Sequence, residues 1–125
     1  MCTFCDKIDK SRILFETSGW MAVYDYYPVS KGHVLLIPKE HYETYFDLPD
    51  TLKESLLYRI EDVKSILDAE FHPDGYNVGF NCGEAAGQTV PHCHIHVIPR
   101  YNRDVENPRG GVRGVIPNKQ NYGEK

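Results

Sequence analysis

The segment His92-Cys93-His94-Ile95-His96-Val97-Ile98 constrains this chain more than any other. Histidine alternates there with small or apolar residues, and an extended strand turns alternate side chains to the same face. Read as a strand, the segment lines one face with imidazoles about 6.5 Å apart. Cys93, Ile95 and Val97 then enter a core. A helix would turn His94 away from His92 and His96 and waste the pattern. Few tasks use three adjacent imidazoles. They can bind a metal, or they can handle a multiply charged anion with one ring as nucleophile and the others as donors.

The rest of the chain supplies a sheet for that strand to join. Residues 12–17 and 20–25 read as a hairpin turning at Ser18-Gly19. His33 to Ile37 is an apolar run closed by Pro38, which predicts a strand buried on both faces. Leu52, Leu56, Ile60, Val63 and Leu67 recur at steps of three and four, the period of an amphipathic helix of about five turns. Thr51-x-x-Glu54 offers it a capping box, and His72-Pro73-Asp74-Gly75 ends it. Residues 75–80 predict a further strand and residues 81–87 a loop. This order predicts an α+β fold with a mostly antiparallel sheet of five to six strands and one main helix. Residues 1–100 form its domain, with an irregular tail, 101–125, packed on it.

At 125 residues and 41% apolar content, one such domain can bury a core without disulfides. Fourteen basic side chains against eighteen acidic ones argue against broad binding of nucleic acid. No run approaches the roughly 18 apolar residues that span a bilayer, and the first residues are no signal peptide. A cytoplasmic protein is expected. In that compartment Cys2-x-x-Cys5 points to a metal or to redox chemistry rather than a disulfide. A redox pair would want the motif between a strand and a helix, and positions 2 and 5 offer neither. Cys82 and Cys93 read as small core residues, and His72 as a surface or capping residue.

Upstream of the histidines, Gly87-Gln88-Thr89 provides flexible backbone, an amide and a hydroxyl, groups that hold phosphate oxygens. Together, residues 81–100 resemble the histidine-triad (HIT) superfamily of nucleotide hydrolases and transferases. Lys31-Gly32-His33-Val34-Leu35-Leu36-Ile37-Pro38-Lys39 is similar to that family's central strand. The tail from Asn107 to Gly114 is similar to a bacterial branch described as diadenosine-tetraphosphate-hydrolase-like.

The resemblance implies a nucleotide as small-molecule partner and assigns roles by position. His94 would attack the α-phosphate of an adenine nucleotide, giving a nucleotidyl-histidine that water hydrolyses. His96, Gln88 and Thr89 would donate to phosphate oxygens. Asn81 and Gly87 would contact phosphate or ribose, and Asp25 the ribose hydroxyls. Phe4, Tyr24, Tyr26 and Leu35 would form the base pocket, with His33 behind the triad. Relatives with an N-terminal C-x-x-C hold zinc, which places Cys2, Cys5, His41 and His92 around a closed structural site. The family is commonly homodimeric, and an apolar edge of the 52–67 helix could serve that.

Two other readings stand beside this one: a metal-dependent hydrolase using the histidines as a catalytic zinc site, and a nucleotide-binding protein without turnover. The tail is net basic, with six basic residues against three acidic ones from Arg100 onward. It reads either as a solvated strap or as a source of Arg103, Arg109 or Arg113 for a polyphosphate.

Overall fold

The computed structural model describes residues 2–123. A short turn of helix, α1 (Thr3–Asp6), precedes the hairpin β1 (Ile13–Glu16) and β2 (Trp20–Tyr24). Strand β3 (Val34–Pro38), helix α2 (Asp50–Phe71), and strands β4 (Gly75–Gly79) and β5 (Ile95–Arg100) follow. The sheet has five strands in the order β1-β2-β3-β5-β4, and every neighbouring pair is antiparallel. The α+β architecture predicted from the patterning is thus present.

Strand parity divides the core. Trp20, Ala22, Val34, Leu36, Cys93, Ile95 and Val97 face α2, where they meet Leu56, Val63 and Leu67. Trp20 is fully buried, and its indole N–H donates to Ser55 Oγ at 2.9 Å, so its one polar group is satisfied. The opposite face carries Val23, Leu35 and Ile37, against which Phe4, Ile8, Ile13 and Met21 pack. Burial on both faces explains the unbroken apolar run of β3, as predicted. Burial also pushes the Cys93 thiol up to about 12, which makes it an inert core residue.

Three expectations need correction. Helix α2 begins one residue earlier than Thr51, with Pro49 as N-cap and no side-chain cap. The Pro49 carbonyl accepts from the Leu52 and Lys53 N–H groups, so a Thr51–Glu54 box has no terminus to close. The box is instead formed by Thr44 and Asp47 on the short 3-10 turn before α2. Strand β5 starts at Ile95 rather than His92, because the β3 ladder ends at the Leu36–Ile95 pair. Beyond it the Cys93 N–H turns to the Tyr42 carbonyl and the His92 N–H to Val90. The side chains still alternate. At its other end β5 runs through Pro99 to Arg100. The Pro99 carbonyl accepts from Ser30 Oγ at 2.6 Å, outside the β4 ladder, so the missing N–H on that same side breaks no sheet bond.

The turn into β3 depends on Gly32, whose φ of +91° favours glycine. A Cβ there would lie 2.9 Å from the Phe71 ring and 3.3 Å from Pro99. Gly32→Ala is therefore expected to lower unfolding free energy by about 1–3 kcal/mol, read by thermal or denaturant unfolding. An unchanged midpoint would show that the turn relaxes freely.

Candidate active site

His94 and His96 stand on the sheet face opposite α2. Their ring centres are 5.2 Å apart, and His96 pairs across the sheet with Leu35 of β3. Fixed donors settle which nitrogen of each ring carries a proton. The Val29 N–H donates to His33 Nδ1 at 3.2 Å, so His33 holds its proton on Nε2. That Nε2 is 3.0 Å from His96 Nδ1 and 3.5 Å from an Asp25 oxygen. Nδ1 of His96 accepts, and its Nε2–H is left to donate. His94 Nδ1 lies 2.8 Å from the His92 carbonyl and must donate to it, which leaves the Nε2 lone pair of His94 unshared.

Burial favours the neutral forms of His33 and His96. His33 is pushed below the usual imidazole range by desolvation, against the opposing pull of Asp25. His96 falls to about 4, first through desolvation and then through His94 and His33. At neutral pH His96 is an uncharged donor.

His92 has a different environment. It is fully buried, and its Nε2–H donates to the Pro38 carbonyl at 2.9 Å. Desolvation, its largest influence, holds it below the usual range, so Nδ1 keeps a lone pair. That Nδ1 points at His41 Nδ1 (3.1 Å), Cys2 Sγ (3.3 Å) and Cys5 Sγ (3.5 Å). All four ligand atoms lie within 4.8 Å of one another. Two cysteine sulfurs and two imidazole nitrogens converging this closely suit one shared cation, bound once the thiols have lost their protons. The donor set could hold a metal.

The two cysteines share the α1 turn with Phe4, whose ring stands edge-on to His94 at 5.0 Å and to His92 at 5.8 Å. Phe4, Ile8, Val23, Tyr24 and Leu35 line a narrow cleft beside the histidines, together with Tyr26 and Arg12. The Arg12 guanidinium lies 4.7 Å from the centre of the Tyr26 ring.

Not every expected residue joins this group. Tyr24 lines the same cleft as Phe4, Tyr26 and Leu35, but it shares its parity with Trp20 and Ala22, and its ring packs edge-on to Phe71 on the helix side of the sheet. Both N–H donors of Gln88 are spent, on the Glu43 carbonyl at 2.7 Å and the Val90 carbonyl at 3.0 Å. Its oxygen accepts from the Gly83 N–H at 2.8 Å. Gln88 thus ties the loop together through all three bonds. Gly87 has a φ of +92° and closes the turn before it. Thr89 and Asn81 are exposed, and Asn81 lines a second cleft with His33 and His96. Arg109 and Arg113 lie over the Tyr122 ring, and Arg113 also donates to the Lys119 carbonyl at 2.8 Å. Both serve the fold of the tail.

Sequence reasoning missed the backbone groups that set the tautomers, at Val29, Pro38 and His92, since a carbonyl or amide has no signature in a sequence. Ile8, four residues after Phe4, could have been found from that spacing.

The HIT domain family matches residues 7–103. The chain belongs to the HIT family. Among HIT relatives, an uncharacterised HIT-like protein of Methanocaldococcus jannaschii is 39% identical over 121 residues, 92% of either chain. The adenosine 5′-monophosphoramidase of Schizosaccharomyces pombe is 39% identical over 107 residues, covering 82% of this chain and 77% of its own. The bis(5′-adenosyl)-triphosphatase of Dictyostelium discoideum is 37% identical over 100 residues, covering 80% and 67%. A zinc-bound HIT structure from Mycobacterium smegmatis superposes with a TM-score of 0.74 at 32% identity, covering 82% of this chain and 77% of that one. Relatives of this HIT protein thus carry the names of nucleotide hydrolases. Among its described residues, no helix is long and apolar enough to cross a membrane.

Proposed function

We propose that this protein is a nucleotide hydrolase or transferase. It cleaves an adenine-nucleotide phosphoanhydride or phosphoramidate through a nucleotidyl intermediate on His94. The observation that carries this is the tie from His94 Nδ1 to the His92 carbonyl, which aims an unprotonated Nε2 out of the sheet. An imidazole whose Nδ1–H is so held has its Nε2 lone pair available as a nucleophile. The names of the phosphoramidase and triphosphatase relatives support the substrate class.

In this reading the α-phosphate rests against His94 Nε2. The His96 Nε2–H and the Thr89 hydroxyl donate to its oxygens where negative charge develops. Asn81 and the Gly87 backbone flank the phosphate, and Asp25 accepts from the ribose hydroxyls. The base enters the cleft of Phe4, Tyr26 and Leu35. Cys2, Cys5, His41 and His92 would hold a zinc ion, whose role would be structural, tying α1 to the sheet. A homodimer belongs to the same reading, with the exposed Leu57 and Tyr58 of α2 available to it.

A catalytic metal on Asp25, His33 and His96, whose ligand atoms also converge, fits less well. The Val29 N–H occupies His33 Nδ1, so ligation through Nε2 would need an imidazolate.

The test is release of AMP from unsubstituted adenosine 5′-phosphoramidate and from diadenosine polyphosphates, followed by chromatography. Turnover of at least one is expected. Tight binding of every nucleotide with no product would establish a non-catalytic binder.

A further inference from the structure

One short segment carries both sulfurs of the Cys–His cluster and part of the cleft that takes the base in the proposed reading. Cys2 and Cys5 flank Phe4 at the α1 turn. The Phe4 ring packs on the cluster of Val23, Leu35 and Ile37 and borders His94 at 5.0 Å. Val23 and Leu35, on the facing side of the cleft, are buried in β2 and β3. The cleft thus has one wall built into the sheet and another that depends on where residues 2–6 lie.

The backbone bonds of this segment are internal. The Cys5 and Asp6 N–H groups donate to the Cys2 carbonyl, and the Lys7 N–H to that of Thr3. Thr3, Cys5 and Asp6 are exposed, while Cys2 and Phe4 are half-buried. Just beyond, the chain regains its own hold on the sheet: Ile8 joins the same apolar cluster, and the Asp9 N–H donates to Tyr26 Oη at 2.8 Å. Residues 2–6 are therefore a separate unit. Its place is set by the Phe4 ring and by the convergence of Cys2 and Cys5 on His41 and His92.

We infer that occupancy of the Cys2–Cys5–His41–His92 site sets the nucleotide affinity of the cleft through Phe4, so that metal and nucleotide each tighten the binding of the other. The inference rests on the proposed reading of both sites and names their regulation. A first ligand that orders a segment leaves less ordering for the second, which gives positive cooperativity. With both cysteines held, Phe4 stands against the sheet before a base arrives. With them released, the base must gather residues 2–6 itself, and its affinity falls by that ordering free energy. Linkage makes the effect reciprocal, so the nucleotide tightens metal binding by the same factor. Stacking of a base on an aromatic ring is large enough to carry about a tenfold change. Residues 2–6 donate nothing to phosphate in this reading, so the effect falls on KM and leaves kcat nearly unchanged.

AMP serves as the probe, because its binding needs no turnover. Its Kd is measured by titration calorimetry on zinc-loaded protein and on protein stripped with a chelator, at a temperature where circular dichroism shows both folded. The Kd of zinc is measured by competition with a chromogenic chelator, with and without saturating AMP. This second arm does not require the stripped chain to be folded. AMP is expected to bind the loaded form about tenfold more tightly, and to tighten zinc by the same factor. Phe4→Ala, which removes no ligand, is expected to retain zinc and to bring both factors close to one. In the stripped wild type, AMP is expected to restore hydrogen-exchange protection at residues 2–6. Equal AMP affinity in the two wild-type forms overturns the coupling, and weaker binding to the loaded form overturns it by showing that the metal holds the cleft shut. A coupling undiminished in Phe4→Ala overturns it too, because the link would then run through global folding. AMP bound by neither form defeats the nucleotide reading itself, and a chain that takes up no zinc defeats the metal reading; the coupling falls with either.

Discussion

His94→Ala is expected to lower turnover of an adenylate substrate by about 10³-fold or more, the scale of losing a nucleophile that acts with its neighbours as a unit. Zinc content is expected to stay at the wild-type level. The reason is geometric: none of the four converging ligand atoms belongs to His94, which is bound to the backbone at His92 rather than to the His92 ring. Truncation removes the ring that Phe4 and His96 border, on a half-buried face, so folding survives. Metal analysis beside the kinetics separates the readings. Joint loss of metal and activity would make His94 a ligand and turn the site into a metal hydrolase.

With the proposed zinc on Cys2, Cys5, His41 and His92, stripping the metal is expected to lower the melting temperature by about 10 °C or more, on the order of several kcal/mol for a structural site. Turnover measured well below that melt is expected to fall less. Helix α1 has four residues and buries none of them, too short a helix to persist alone. Its ligands and Phe4 anchor it to the sheet. Without the metal, residues 2–6 are expected to lose hydrogen-exchange protection, and Phe4 leaves its place beside His94. Melting curves with and without a chelator, together with exchange at those residues, check this. An unchanged melt would remove the metal from the account. Immediate loss of activity with folding intact would give it a catalytic role.

The sheet was legible wherever period and burial agree. Strand β3 is apolar at every position because both its faces are covered, and the hairpin was marked by Ser18-Gly19 between two apolar runs. The alternation at 92–96 placed Cys93 and Ile95 in the core correctly, although hydrogen bonding in the ladder begins only at Ile95. Parity places the Tyr24 ring on the helix side with Trp20 and Ala22, although the residue also lines the cleft of Phe4, Tyr26 and Leu35. The loop bonds of Gln88 were hidden for another reason. An amide next to a histidine cluster looks like a ligand donor, and only the positions of the Glu43 and Val90 carbonyls show it to be consumed. The Thr51 box failed because the Pro49 carbonyl already closes that turn. That Val112 and Val115 of the tail line the second cleft could not be foreseen, because nothing in an irregular tail says which strand it lies against.

The central claim is that His94 carries the nucleotide during turnover. Rapid acid-free quenching of enzyme with excess adenosine 5′-phosphoramidate, followed by peptide mass spectrometry, tests it most directly. The account predicts an adenylyl group on the peptide containing His94, absent from His94→Ala. Steady turnover with no modified peptide at any quench time, or with the adduct on another residue, would contradict it.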